Sequence, residues 1–257
     1  MIANFFNNHY FILIVFLLFI GFLAGFIDAI AGGGGLISLP ALAYTGLPMV
    51  EVLGTNKFGS TFGTGMATYK YYRDGLINIS TVYRGLVMGF MGALLGAYTA
   101  NHISNSFMRV IVPFLLLFVF IFNIFNKKLG LEEGEKRMNE VMFFSIFGFI
   151  FGFYDAFFGP GVGNFWIISI VFFLGFTFLQ ASGYAKVLNL KSNIFSLCIF
   201  LFYGKVNYTF GIVMAIGQFF GGYLGAKSVI LKGSKIVRPF FMTIVFINII
   251  ISFYELV

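Results

Sequence analysis

Long runs of apolar residues dominate the sequence. Ten residue ranges stand out, and eight of them are long enough to cross about 30 Å of hydrocarbon as helices. The eight ranges are 9–31, 51–71, 82–102, 106–126, 139–158, 179–203, 207–229 and 236–255. Two shorter runs, 36–47 and 164–175, each follow a glycine cluster. At about 1.5 Å per residue, neither short run crosses a bilayer unaided. The pattern predicts eight full-length transmembrane helices and two short, glycine-broken helices.

The composition excludes a water-soluble protein. Of the 257 residues, 60% are hydrophobic and only 10% are charged, whereas about a quarter of a soluble domain is charged. Disordered chains, coiled coils and disulfide scaffolds need a polar excess or paired cysteines, and the chain has neither. The net charge of +7 fits basic loops on the cytoplasmic side of a membrane rather than a nucleic-acid partner. We therefore expect an all-α integral membrane protein that is surrounded by membrane lipid and binds no nucleic acid.

The chain also contains an internal repeat. An offset of 127 residues aligns Asp28 with Asp155 and several glycines around them, and an offset of 129 aligns Lys57 with Lys186 and later glycines. Aspartate and lysine are rare in these apolar segments, so their alignment indicates a duplication. The sequence predicts a first transmembrane repeat at 1–126, a charged cytoplasmic linker at 127–140 and a second transmembrane repeat at 141–257.

Charge placement decides the relative orientation of the two repeats. If the short runs count as membrane crossings, each repeat has five crossings and the chain has ten. The second repeat is then inverted in the membrane relative to the first. Nearly all loop lysines and arginines then fall on one face, with only Arg109 and Lys205 opposite, as the positive-inside rule requires. This interpretation places both termini outside the cytoplasm. The residues on the basic face are Lys70, Arg73, Arg84, Lys127, Lys128, Lys136, Arg137, Lys227, Lys232, Lys235 and Arg238.

The two glycine clusters are the strongest candidates for a binding site. Irregular backbone at membrane depth is tolerated only where protein or a water-filled cavity satisfies it, and Pro160 cannot continue a helix. Each cluster precedes a new helix, whose first N–H groups favour an anion. Glycines also allow helices to pack closely, as we expect for Gly92, Gly96, Gly217, Gly221 and Gly225. The candidate substrate-binding glycines are Gly32, Gly33, Gly34, Gly35, Gly159, Gly161 and Gly163.

Five ionisable residues lie in or near the predicted spans: Asp28, Lys57, Asp155, Lys186 and Lys191. Each costs about 2.5 to 3.5 kcal/mol at the bilayer centre, so pairing or hydration is required. Three lysines and two aspartates leave one positive charge that an anion could neutralise. Alternatively, Lys57 and Lys186 extend to the membrane interface. The two aspartates could carry protons for coupling, or they could only cap helices and neutralise the lysines.

Two asparagines complete the candidate site. Asn56 and Asn189 are polar enough to line a substrate pathway, as is the neighbouring Asn193. An interhelical hydrogen bond is an equally good explanation for each of them. Lys57 and Lys186 join the asparagines as candidate substrate ligands, and we assign Asp28, Asp155 and Lys191 to coupling or charge balance.

These residues lie in stretches that resemble the sulfite exporter TauE/SafE family, also described as toluene sulfonate uptake permeases. The matching stretches are GFIDAIAGGGGLISLPAL at 25–42, GTNKFGS at 54–60, GFYDAFFGPGVGNFW at 152–166, AKVLNLKSN at 185–193 and GQFFGGYLGAK at 217–227. The resemblance covers both repeats. It implies a transporter, often for sulfur-containing anions such as sulfite or sulfonates, without fixing the substrate.

The sequence thus predicts a secondary transporter for a small anion that works by alternating access, with the two halves rocking about a central site. A cation transporter or channel using Asp28 and Asp155 is the alternative. The sequence has no P-loop, metal-ligand cluster or nucleophile motif, so we expect neither an enzyme nor a cofactor. It indicates neither the direction of transport nor the oligomeric state.

Overall fold

The computed structural model describes residues 10–100, 114, 117, 120–121, 130–157 and 161–254. Within these residues every regular element is an α-helix, and there are nine of them. The first half contributes α1 (Tyr10–Ala31), α2 (Gly35–Ala43), α3 (Met49–Arg73) and α4 (Ile79–Ala100). The second half contributes α5 (Glu140–Phe157), α6 (Val162–Leu174), α7 (Phe178–Phe202), α8 (Tyr208–Lys232) and α9 (Ser234–Tyr254).

Local sequence signals fix the helix boundaries. The short helix α6 lies between Gly161 and Gly175, which both adopt left-handed backbone angles with φ of 81° and 70°. Thr177 and Gln180 form a reciprocal capping box at the start of α7, and the Asn207 side chain accepts a hydrogen bond from the Phe210 N–H at the start of α8. With 9 and 13 residues, α2 and α6 measure about 14 and 20 Å and are too short to cross a bilayer.

The predicted helices agree with the described ones to within three residues at most ends. Four helices, α1, α5, α7 and α8, are long and apolar enough to span a membrane. The predicted span at 106–126 lies almost entirely outside the described residues. The total of eight long spans and two short ones therefore stays a prediction, as do the domain boundaries. Large apolar side chains such as Phe11 and Phe202 cover the exterior, as expected for a lipid-facing surface.

Two helix pairs pack with their backbones in contact. A methyl group on Gly221 of α8 would collide with the Phe22 carbonyl oxygen of α1, and one on Gly92 of α4 would collide with the Phe149 carbonyl oxygen of α5. Gly217, Gly225 and Gly96 make contacts of the same kind with the facing backbones. The predicted role of these glycines in close helix packing is confirmed.

Both pairs join the two halves of the sequence. Helix α1 of the first half packs mainly on α8 of the second, and α4 of the first packs mainly on α5 of the second. Helices α3 and α7, one from each half, also contact each other. The halves are therefore interlocked, and the helix starts that follow the two glycine clusters are enclosed by helices from both.

Candidate functional site

The first glycine turn meets the start of α6 inside the protein. Gly32 and Gly33 have φ of 81° and 88°, in the left-handed region that glycine tolerates best. A Cβ atom on Gly32 would lie 3.0 Å from the Gly163 Cα atom, so the backbone of the first glycine turn is in contact with the start of α6. Gly32 and Gly163 are both buried. Gly159 and Pro160 of the second cluster lie outside the described residues.

An ion pair between the halves lies beside this junction. The Lys186 ammonium of α7 donates to the Asp28 Oδ2 atom of α1 at 2.9 Å. The Lys186 side chain is 0% exposed and the Asp28 side chain 21% exposed. The Asp28 Oδ1 atom also accepts the Gly34 N–H at 3.4 Å. A carboxylate of the protein thus occupies the start of α2, where the sequence favours an anion.

A second, longer ion pair also connects the halves, but here the lysine belongs to the first half and the aspartate to the second. The Lys57 ammonium of α3 lies 3.9 Å from the Asp155 Oδ1 atom of α5. It also donates to the Asn193 Oδ1 atom of α7 at 3.1 Å, and the Asn193 amide donates to Thr64 Oγ1 on α3 at 3.2 Å. Each lysine therefore pairs with the aspartate of the other half.

These pairs explain how the charges are accommodated at membrane depth. A buried ion that loses its partner is left with an uncompensated desolvation cost of several kcal/mol. Lys186 does not extend to the membrane interface, because its ammonium is fully buried on Asp28. Lys57 is likewise held by partners inside the protein. Both ammonium groups thus have partners inside the protein, and their assignment as substrate ligands stays a prediction.

The asparagines divide into two groups. The Asn56 Oδ1 atom accepts a hydrogen bond from Ser38 Oγ of α2 at 2.5 Å, which is an interhelical bond. The Asn189 Nδ2 atom lies 3.0 Å from the place where a Gly163 Cβ atom would be, and the buried Asn189 Oδ1 atom has no hydrogen-bond partner. Asn189 is thus a polar group at the glycine junction with unused bonding capacity.

Two further polar side chains are buried nearby in the structure, and the sequence reasoning missed both. Asn164, directly after Gly163, is 0% exposed, and neither of its amide atoms has a hydrogen-bond partner. Gln218 of α8 lies against Gly59 and Gly63 of α3, and its Nε2 atom also has no partner. Buried amides without partners are costly. A single polar residue in an apolar run, next to a glycine turn, was the available signal for Asn164.

Lys191, the third lysine of the candidate site, borders a cleft between α4, α5 and α7. The Lys191 ammonium occupies the place where a Cβ atom on Gly89 of α4 would lie, and Lys191 and Asp155 both line the cleft. The cleft is lined by Phe90, Ala93, Asp155, Ala156, Lys191, Ser192, Phe195 and Ser196. Lys191 and Asp155 thus bring charge to a mostly apolar cleft.

The structure defines a helical membrane protein. Two lysine–aspartate ion pairs connect its halves, and short helices follow its glycine clusters. The profile described as sulfite exporter TauE/SafE matches residues 17–251. A "Probable membrane transporter protein ORF9" of Sinorhizobium sp is 37% identical over 88% of this chain and 87% of that protein. A "Probable membrane transporter protein" of Haemophilus influenzae is 38% identical over 88% of this chain and 89% of that protein.

A third relative, the "Probable membrane transporter protein YfcA" of Escherichia coli, is 37% identical over 87% of this chain and 83% of that protein. No solved structure matches the chain significantly. The protein is a multi-pass membrane transporter rather than an enzyme. The chain belongs to the sulfite exporter TauE/SafE family, as the resemblance of its motifs predicted.

Proposed function

We propose that this chain is a secondary transporter that carries a small anion across the cell membrane by alternating access. Sulfur-containing anions such as sulfite or a sulfonate are the leading substrates, in keeping with the description of its family. The proposed site lies where the first glycine turn meets the start of α6, beside the crossed lysine–aspartate pairs. Asn189 and Asn164 supply uncommitted amide groups there.

The charge balance at the crossed pairs carries this proposal. Asp28 is paired with Lys186 and Asp155 with Lys57, and Lys191 lines the same cleft as Asp155. These five groups have a net charge of +1 when all are ionised. A buried positive charge is stabilised by an anion, so binding of an anionic substrate would complete the balance.

The same pairs argue against the cation alternative. A cation transporter would need the carboxylates of Asp28 and Asp155 to face its substrate. Both carboxylates face lysines instead, at 2.9 Å and 3.9 Å. A cation would have to displace an ammonium group at each of them, so we favour the anion.

Repeated contacts support the proposed inverted repeat. Under the 127 and 129 offsets, the contact of Gly221 with Phe22 corresponds to that of Gly92 with Phe149. The two lysine–aspartate pairs correspond to each other in the same way. The Asn207 N–H donates to Thr55 Oγ1 at 2.9 Å, and the corresponding Asn78 N–H donates to the Tyr184 hydroxyl at 3.3 Å. Related positions thus make related contacts between the halves.

One pair of related helix contacts differs, and the difference supports alternating access. Helix α3 packs tightly on α8, where a methyl group on Gly222 would collide with the Gly63 carbonyl oxygen. Under the offset, this contact corresponds to that between α7 and α4. There, however, the helices touch only lightly and border the cleft at Asp155 and Lys191. The contact between α3 and α8 is therefore closed, whereas the corresponding contact between α4 and α7 is open.

The packing also suggests which parts would move. Helices α1 and α8 are in backbone contact, as are α4 and α5, and tight packing makes each pair a rigid unit. We propose that these two pairs, each drawn from both halves, are the mobile units. This proposal differs from the expectation that the two sequence halves rock against each other, because each mobile unit contains helices from both halves.

A thermal-shift screen of the purified protein tests the proposed substrate class. We expect sulfite, thiosulfate, methanesulfonate or acetate to raise the unfolding temperature, because a ligand that binds only the folded state stabilises it by about 2.7 kcal/mol at 100 times its Kd. Sodium chloride at equal ionic strength is the control. Absence of a shift with every anion, or a shift that follows the cation of the salt, would contradict the proposal.

A further inference from the structure

We propose that Asn193 is a positioning residue for anion transport, whose amide holds the Lys57 ammonium away from the Asp155 carboxylate. An anion can then contact this ammonium without first breaking a direct ion pair. This role rests on the proposed anion transport. It gives a definite task to a residue that the sequence indicates only as a polar lining of the pathway.

The amide is a closer partner of Lys57 than the carboxylate is. The Lys57 ammonium donates to the Asn193 Oδ1 atom at 3.1 Å. The Asp155 Oδ1 atom is 3.9 Å away, which is beyond hydrogen-bond distance. Because an amide carries no net charge, it competes with an approaching anion more weakly than a directly bonded carboxylate would. The Lys57 ammonium can therefore exchange its amide partner for an anion.

The corresponding lysine of the other half is held differently. Under the 129 offset, Lys186 corresponds to Lys57, and its ammonium bonds directly to the Asp28 carboxylate at 2.9 Å. The Lys186 side chain is fully buried, whereas that of Lys57 is 19% exposed. Thr64 corresponds to Asn193, and its Oγ1 atom accepts the Asn193 amide at 3.2 Å. The two lysines thus differ in their first partner, which is a carboxylate for Lys186 and an amide for Lys57.

Asn193 also lies close to the proposed site. It follows Asn189 by four residues on α7, so the two side chains share one face of the helix, about 5.4 Å apart along its axis. Both side chains are buried. The Asn189 Nδ2 atom lies 3.0 Å from the Cβ position of Gly163 at the start of α6. The Asn193 amide therefore holds the Lys57 ammonium about one helical turn from the junction where we propose that the anion binds.

Hydrogen-bond chemistry fixes which amide atom faces the lysine. An ammonium group only donates, so the amide oxygen must face it, whereas a threonine hydroxyl can donate or accept. The bond from Lys57 to Asn193 therefore does not depend on Thr64. Removing the Thr64 hydroxyl takes away one interhelical hydrogen bond and keeps the bond that holds the lysine.

An exchange of the two lysine partners tests this role in the purified full-length protein. Asn193→Asp combined with Asp155→Asn keeps the total charge, but it places a carboxylate in direct contact with Lys57 and an amide at the longer distance. The probe is the anion among sulfite, thiosulfate, methanesulfonate and acetate that gives the wild type its largest thermal shift. We expect its affinity, measured by isothermal titration calorimetry, to fall at least tenfold. The unfolding temperature without the anion should stay unchanged or rise, because the ion pair becomes direct.

A second variant reaches the same end without a new carboxylate. Asn193→Leu is similar in size and has no acceptor, so the Lys57 ammonium can move onto Asp155. The total charge of the protein again stays the same. We expect the affinity for the probe to fall in this variant as well.

Two single substitutions are the controls. Asp155→Asn alone keeps the amide that holds Lys57 and removes the competing carboxylate, so it should bind the probe no more weakly than the wild type. Thr64→Val removes the hydrogen bond to the Asn193 amide. We expect it to lower the unfolding temperature and to leave the affinity close to the wild-type value.

The outcomes separate the role of Asn193 from the proposed function. If the exchange variant and Asn193→Leu bind the probe as the wild type does, Asn193 does not position Lys57, and anion transport stands. An equal loss of affinity in Thr64→Val would make Asn193 a structural link between helices and would also overturn the role. If the wild type binds none of the four anions, the proposed function fails and the role of Asn193 fails with it.

Discussion

We expect Lys186→Met to lower the free energy of unfolding by about 3 to 5 kcal/mol, the largest effect of any single substitution at the crossed pairs. The Lys186 side chain is fully buried and its ammonium is 2.9 Å from the Asp28 carboxylate. Removing the ammonium leaves that carboxylate largely buried without its cation. Thermal or denaturant unfolding of the purified protein in detergent measures the change.

A double substitution separates the pairing from other effects of the methionine. Asp28→Asn combined with Lys186→Met removes both charges, and replacing a buried pair by neutral groups is often close to neutral. The asparagine carbonyl can still accept the Gly34 N–H. We therefore expect the double variant to be more stable than Lys186→Met alone. Lys232→Met, at the exposed end of α8, should have little effect. A double variant as unstable as the single one would contradict the pairing.

The second prediction concerns the contact between the first glycine turn and the start of α6. Gly32→Ala should destabilise the protein by about 1 to 2 kcal/mol because of its left-handed backbone. It should cost about 1 to 3 kcal/mol more because the new methyl group lies 3.0 Å from the Gly163 Cα atom. We also expect loss of the anion-induced thermal shift, because Gly32 is forced apart from the start of α6.

Gly46 provides the matched control for this substitution. It has the same φ of 81°, and nothing lies within 4 Å of its Cβ position. Gly46→Ala therefore carries the backbone cost without the collision. The difference in unfolding free energy between the two alanine variants reports on the contact between Gly32 and the start of α6. Equal stability, with equal anion binding, would mean that Gly32 does not contact the start of α6 as described.

Much of the fold could be predicted from the hydropathy pattern. The predicted run at 164–175 became α6 at Val162–Leu174, and the run at 179–203 became α7 at Phe178–Phe202. These elements were predictable because the glycines and caps that bound them are local signals. The run at 36–47 ends earlier, at Ala43, before the turn that contains Gly46.

The partners of the charged residues could not be predicted. The sequence indicated that Asp28 and Asp155 need cations nearby, but pairing depends on which helices become neighbours. Because α1 packs mainly on α8 and α4 mainly on α5, the halves interlock and each aspartate meets the lysine of the other half. The tight burial of Gln218 against Gly63 arises from the same long-range packing and had no local signal.

The most direct test of the account is uptake of radiolabelled sulfite into proteoliposomes. The central claim is that lysines between the two halves bind the anion that the protein transports. We predict that wild-type protein takes up sulfite, that Lys57→Met reduces uptake more than tenfold, and that Asp155→Asn keeps the sulfite-induced thermal shift. Wild-type rates in Lys57→Met, with uptake lost only in Asp155→Asn, would contradict the claim and favour a carboxylate-based cation site.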